Sequence, residues 1–577
     1  MNMAAVTTVA PIGGGGGAMT THHAPLWSSV HELARLQEEL LLSSPFVQYV
    51  CSCRRVQAHA QFFLLSQNEI EQLQLRGNTA EDWSQVVKTT MDASVNVERI
   101  QSCSFQGRVV LGRFSSDYRH ELEGGVKFAS GCYRSTIRNA VILDDALVQD
   151  TLLLNNVFIN AEAVVIGCGP VVFKQKSIGD DKEPPLAFGN GVTLHVGVET
   201  GGRDLRVFVE LPFALAAAVA GSRSNLDFLS AYERLVDTYV QQIACDFTII
   251  AKGARVIRCS RVENSFIGDF AILEDSEVVN TTVLSSQDEP SKILSKSLVK
   301  NAILQWSCVI EALSVIDTAF FCDYSHVERH GVVMSSFIGP NTSIAEGEVT
   351  SSFVGPFVGF HHQALLIASF WPQGKGNVGY GANVGSNHTL KAPDQELFPG
   401  EGVFFGLGSN VKFPSNFVHA PYSVVATAVT TLPQRLAMPF ALINTPGHVI
   451  PSLSPAINEI SPGWVLAQSV FTVLRNEYKF QTRNKSLRTR VEPAIFRPEI
   501  VQCMKDARSQ LEAAHGTAKI KLASGEDVYT DKQVPGLGKN YMREGARKEG
   551  IAAYTFFIQL YALDALLDFV ESGKGAV

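Results

Sequence analysis

Polar and apolar positions alternate in short bursts through the middle of this chain, and the bursts return on a fixed ruler. An aromatic or aliphatic residue set among Ser, Asn or Thr recurs at Phe266, Val283, Ile303, Phe320, Phe337, Phe353 and Phe370, at intervals of 17, 20, 17, 17, 16 and 17 residues. The one long interval holds the polar insert Gln287-Asp288-Glu289-Pro290. No helical period gives this spacing. Ile-Gly or Val-Gly follows several markers (Ile267-Gly268, Ile338-Gly339, Val354-Gly355), and aliphatics then fall about every six residues, as at Ile267, Leu273 and Val279. Short strands, each sending one aliphatic inward before a turn, and repeating in turns of about eighteen residues, make a β-helix.

The same ruler organises the flanks. Residues 1–26 read as a tail containing the tract Gly13 to Gly17, and 27–99 as a helical cap with Leu33, Leu36 and Leu40 on one face. Within that cap Ser66 and Glu69 form a capping box that opens a helix closing before Gly77. A first β-helix block spans 100–178, where Asn139-Ala140-Val141-Ile142 and Asn156-Val157-Phe158-Ile159 lie seventeen residues apart. Residues 179–246 break the pattern with a charged loop, a Gly-rich β segment and a helix whose stripe is Phe228, Tyr232, Leu235 and Tyr239. The second block, 247–445, loses its strict period after Phe370. From 446 to 577 the pattern is helical: Trp464, Phe471, Leu474 and Tyr478, then Ile500, Met504, Ala507 and Leu511, then Ile551, Tyr554, Ile558, Tyr561 and Ala565. These helices are expected to cap the coil or to form an oligomer contact, because a last rung otherwise exposes unpaired strand edges.

Composition narrows the partners. With 46% hydrophobic and 18% charged residues the chain can bury a large core, and a net charge of −8 gives no general attraction to nucleic acid or anionic membranes. The apolar stretch Tyr554 to Val570 is interrupted by Asp564 and Asp568, so no membrane span is expected. Ten scattered cysteines fit reduced thiols, and the first 26 residues lack the basic start and long apolar run of a secretory signal. The cytoplasm is the expected location.

Candidate chemistry concentrates between Val354 and His388. His361 and His362 are adjacent, so on a strand they face opposite ways and at most one can serve a given groove. Lys375 and the glycines Gly379 and Gly381, with Asn383 and Asn387, are the candidate ligand-binding residues, supplying charge, amides and close backbone approach. His362, His388 and His361 are the candidate proton-handling residues. His326, 36 residues before His362, together with His362 and His388 makes a weaker alternative, a three-imidazole zinc site of the hydratase kind. No Walker loop, nucleophile elbow or dinucleotide fingerprint is present.

Gly189-Asn190-Gly191, Gly201-Gly202-Arg203, Val354-Gly355-Pro356 with His361-His362, Ser386-Asn387-His388 and Arg475-Asn476-Glu477-Tyr478-Lys479-Phe480 together resemble an uncharacterised family of hexapeptide-repeat proteins named only as a domain of unknown function. The resemblance implies a left-handed parallel β-helix related to trimeric acyltransferases and sugar-nucleotide enzymes. It implies a homo-oligomer, with a trimer expected, and a sugar or nucleotide-sugar as ligand. The function expected on this basis is acyl transfer from a donor such as acyl-CoA, with a histidine as general base in a groove of the coil. A non-catalytic scaffold or regulatory β-helix is the alternative.

Overall fold

In the computed structural model, which describes residues 29–59, 61–89, 96–174, 187–386 and 396–571, the seventeen-residue ruler is the step from one rung to the next. The architecture is a mainly β, parallel solenoid with helices at both ends, as the repeat predicts. The chain divides into two compact units, residues 1–194 with 204–334, and residues 195–203 with 335–577.

In the first unit one turn consists of three short strands, for example Thr248–Ile250, Arg255–Ile257 and Arg261–Glu263. Each pairs in parallel with its counterpart one turn on, Ile249 over Phe266, Val256 over Leu273 and Val262 over Val278. The corners between strands turn through left-handed backbone at Asn264 (φ 48°), Phe270 (58°), Asp275 (52°) and Asn280 (48°). Asn and Asp tolerate that region because their short polar side chains bond locally; a phenylalanine there is held by the coil around it.

The coil starts earlier than residue 100, because Thr79–Ala80 and Val86–Lys88 already pair with Ser104–Leu111. The capping box at Ser66 and Glu69 is present on the helix α3 (Gln67–Leu75). Helices α1 (Val30–Ser43) and α2 (Pro45–His59) lie against the inserted helix α5 (Leu226–Ile243), which follows α4 (Phe213–Gly221). Ser44 and Tyr239 both donate to the half-buried Glu210 carboxylate, at 2.5 and 2.7 Å, tying α1 and α2 to the insertion. Burial pushes that carboxyl above its usual range.

The insertion leaves the coil after Pro170–Val172 and returns at Thr248 in phase. Val157, Phe158 and Ile159 stack directly on Thr248, Ile249 and Ile250. The marker column starts at Phe266, on a wall that α2 and the insertion cover. Phe266 points away from the coil axis onto Phe46 and Tyr49 of α2 and onto Phe188, with ring centroids 4.8, 5.5 and 6.1 Å apart. By strand alternation, the inward residue is therefore the next one, Ile267.

Along this column the predicted marker Val283 is displaced by one residue: Phe266 lies over Thr282, and Thr282 over Ile303. The reason is polar. Thr282 donates to the Phe188 carbonyl at 2.6 Å and accepts from the Asn190 amide at 3.0 Å, so a hydroxyl is needed where the loop docks. Gly189, in left-handed conformation (φ 84°), sits so close that a Cβ would lie 2.7 Å from the carbonyls of Asn280 and Ala302.

In the second unit Phe337, Phe353 and Phe370 form a column in parallel register. The coil persists beyond Phe370 with longer turns: Leu365, Asn383, Asn410 and Thr430 stack in order, as do Gly359, Asn377, Phe404, Val424 and Leu442. The segment His195–Arg203 belongs to this unit. Arg203 pairs with Glu396 at 2.9 Å and lies over the rings of Phe370 and Phe398.

The C-terminal region is not purely helical. The last rung, Leu442–Asn444, is closed by the antiparallel strand Asn458–Ser461, which continues into a small sheet with Asn540–Arg543 and Asp527–Thr530. Four helices accompany it: α6 (Trp464–Gln468), α7 (Val470–Thr482), α8 (Pro498–Ala513) and α9 (Glu544–Glu571). In α8 the expected stripe Ile500, Met504, Ala507 and Leu511 is buried.

In α7 it is not. A break at Ser469 separates α6 from α7, and α7 buries Val473 and Phe480, while Phe471 and Tyr478 are 73% and 68% exposed. In α9 only the first turns are packed, with Gly550, Ala553 and Tyr554 buried. Beyond them the helix is largely exposed and apolar, and α9 as a whole is long and apolar enough by length and composition to cross a membrane, although Asp564 and Asp568 interrupt it.

Candidate functional site

The wall that carries His361 and His362 is built by consecutive turns of the second unit. The strand Gly359–Phe360 ends at these histidines, and the chain turns back through Gln363 in left-handed conformation (φ 55°) to enter Leu365–Ile367. The backbone is locked: His361 N–H donates to the Val378 carbonyl at 3.0 Å, and Gly381 N–H to the His362 carbonyl at 3.0 Å. Both imidazoles are exposed.

His362 is oriented by a carboxylate. Its Nδ1 lies 2.8 Å from a Glu346 oxygen, contributed by the turn before. A carboxylate at Nδ1 fixes the ring and its tautomer, and turns Nε2 away as the nitrogen that can accept a proton. Gly381, one turn further on, has open space among the described residues where a Cβ would stand. Glu346 was not singled out by spacing. The signal available was its place one rung before His362.

Lys375, expected to hold an anion, is spent elsewhere. It is 8% exposed; its ammonium donates to Glu401 at 2.8 Å and to the Glu492 carbonyl at 2.5 Å, and lies 5.4 Å from the Phe480 ring centre. The same Glu401 carboxylate is bound by Arg497 and by the Tyr422 hydroxyl, the latter at 2.7 Å. Burial alone would raise the Glu401 carboxyl, but the guanidinium and ammonium outweigh it and hold the group below its usual range. This buried cluster fastens the coil to the segment before α8.

Gly379 packs against the next turn, where a Cβ would lie 2.8 Å from the Phe405 carbonyl, and Asn383 sits in register between Leu365 and Asn410. Asn387 and His388 lie outside the described residues. His326 belongs to the strand His326–Glu328 of the first unit, next to Val309 in register. Among the described residues no three His, Cys, Asp or Glu side chains converge as a metal site.

Lys479, on α7, stands between two further cations, Arg475 and Arg483. Burial, reinforced by repulsion from Arg483 and Arg475, pushes the Lys479 ammonium below its usual range.

Fold and site together define a parallel β-solenoid protein with a carboxylate-oriented histidine on its wall. The chain belongs to the family described as Domain of unknown function (DUF4954), whose model matches residues 62–490. It is similar to an uncharacterized protein of Treponema pallidum (strain Nichols), 24% identical over 461 residues, covering 78% of this chain. The aligned part spans 61% of that relative's length. The family match takes in the whole histidine wall and leaves out α1, α2, α8 and α9.

Proposed function

We propose that this solenoid is a group-transfer enzyme, moving an acyl group onto a sugar or sugar-nucleotide, with His362 as general base. The observation that carries the reading is the 2.8 Å contact between His362 Nδ1 and Glu346. Nε2 would take the proton of an acceptor hydroxyl as its oxygen attacks the acyl carbonyl of a thioester donor. The C–S bond then breaks, and the imidazolium returns the proton to the departing sulfur. Kinship with the left-handed acyltransferase solenoids belongs to the same proposal.

The test is an acyl-transfer assay with acyl-CoAs as donors and nucleotide sugars as acceptors. His362→Ala should lower the rate by about 10²–10⁴-fold, the usual contribution of a general base, and Glu346→Gln should lower it less. Thermal stability should be unchanged, since both side chains are at the surface. Wild-type turnover that survives His362→Ala overturns the assignment. The burial of Lys375 favours a second reading, a non-catalytic scaffold, which predicts no turnover on any pair in the panel.

A homo-oligomer is part of the proposal. On α9, Phe556, Leu560, Leu563, Leu567 and Val570 recur at steps of four, three, four and three, the spacing of a helix-pairing seam, and all are exposed. From Glu549 to Glu571 there is no Lys or Arg, and the charged residues are Glu549, Asp564, Asp568 and Glu571, a charge unsuited to an anionic lipid surface. The exposed apolar side of α7 carries Arg475, Lys479 and Arg483, opposite in sign to the end of α9. A second copy supplies both complements.

A further inference from the structure

Away from the histidine wall, the second unit contains a cavity of about 550 Å³. Strands Ser415–Asn416 and Gln434–Arg435 form one side, and the loop from Asp531 to Lys539 the other. Its polar lining is Asn416, His419, Gln434, Arg435, Asp531 and Lys539. The family match ends at residue 490, so the loop side lies outside the matched residues.

One donor at this cavity is buried and unused. Gln434 is 7% exposed, and its Oε1 accepts from the Lys539 backbone N–H at 3.1 Å and from the Asn540 amide at 2.8 Å. Those two donors fix which end of the Gln434 amide is oxygen. Its Nε2 is therefore an oriented N–H donor, and among the described residues it has no partner; the neighbouring Asn540 Oδ1 is likewise an unpartnered acceptor. A buried amide without a partner is unfavourable, and a ligand oxygen would supply the missing acceptor.

The charges agree. Arg435, Lys539 and His419 are exposed at the rim, and among the described residues none of them has an ion-pair partner. Asp531, the one acid in the lining, is engaged by its own loop, with Oδ1 accepting the N–H groups of Gly536 and Gly538 at 3.0 and 2.9 Å. In a chain of net charge −8, two unpaired cations and a buried donor around one cavity select an oxyanion.

We propose that this cavity binds the phosphate group of a small phosphorylated metabolite. Arg435 and Lys539 hold its charged oxygens, and Gln434 Nε2 donates to the innermost one. The site is independent of His362.

Isothermal titration of the full chain with inorganic phosphate and with glucose 6-phosphate tests this. A saturable one-site heat is expected from both probes. Arg435→Ala and Lys539→Ala should each weaken it at least about ten-fold, as loss of a charge-assisted hydrogen bond does. Gln434→Glu, which keeps the Oε1 acceptor and replaces the donor by a charge, should abolish binding; its melting temperature should fall because the new carboxylate is buried, and circular dichroism checks that the coil stays folded. His362→Ala should bind like wild type, which separates this proposal from the transferase reading. No saturable heat, or unchanged affinity in an Arg435→Ala, Lys539→Ala double variant, overturns it. Co-sedimentation with phosphatidic-acid vesicles in the absence of any heat from the free phosphates overturns the small-molecule source in favour of a lipid headgroup.

Discussion

Phe337 and Phe353, one turn apart in the second unit, lie face to face with ring centroids 4.6 Å apart and planes 1° apart. Stacking of this kind repeats only where the rung above places the same atom directly over the rung below, so it reports the accuracy of the coil's register. Both rings are fully buried. Phe353→Ala should destabilise by about 3–5 kcal/mol, the usual cost of emptying a buried aromatic site. Thermal unfolding followed by circular dichroism measures this, and a loss below about 1 kcal/mol would mean the wall collapses to fill the gap.

Glu401 is the anion on which two cations depend. Glu401→Gln leaves the buried Lys375 without a counter-charge and Arg497 with only the exposed Glu499, 3.7 Å away, and breaking such a cluster costs about 3–5 kcal/mol. Adding Lys375→Met to that variant should recover part of the loss, because one stranded charge is removed. Melting temperatures of the single and double variants decide it; if the double is no better than the single, the coupling assigned to these two side chains is wrong.

Acid should weaken the start of α9 through Glu544. Hydrogen bonding to Arg547 holds its carboxyl down at about 2. A folded-state value below the unfolded one contributes stability that is complete above the unfolded value of about 4.3 and is lost as pH falls toward 2. The difference in melting temperature between wild type and Glu544→Gln should therefore be constant above about pH 5 and shrink on acidification. A difference that grows toward low pH would refute the sign.

The α9 seam gives a prediction about mass. A Leu563→Glu, Leu567→Glu variant places charge in the middle of the exposed stripe and should convert an oligomer to a monomer in light scattering, without altering the circular dichroism of the coil. Wild-type protein that is monomeric at micromolar concentration removes the self-association proposal, and recovery in the membrane fraction would assign α9 to lipid instead.

Gly189→Ala tests the docking of the insertion. The added methyl meets two carbonyls at 2.7 Å in a left-handed backbone, and the expected outcome is faster hydrogen exchange in the segment around Asn190, with the coil protected as before.

The rungs were legible in the sequence because each contributes the same kind of residue at the same step, and steric demand inside a coil leaves little freedom. Val283 was misplaced because its neighbour Thr282 answers to Asn190, 92 residues away, which no local period records. The corners were invisible for a related reason. Phe270 and Tyr324 adopt left-handed backbone under tertiary constraint, with no glycine to mark them.

At the site, adjacency exposed the paired histidines, whereas the fate of Lys375 depended on Glu401 and Arg497, 26 and 122 positions further along, and could not be seen. In α7 the apolar spacing was real, but the interruption at Ser469 rotated the helix so that Val473 and Phe480 face inward.

The antiparallel strand Asn458–Ser461 lies against the final rung Leu442–Asn444, and a strand running the opposite way cannot template another parallel turn. On this face the polypeptide has written its own stop codon in three dimensions: both edges of the final rung are already paired, so it offers no open parallel edge on which a further turn could be laid.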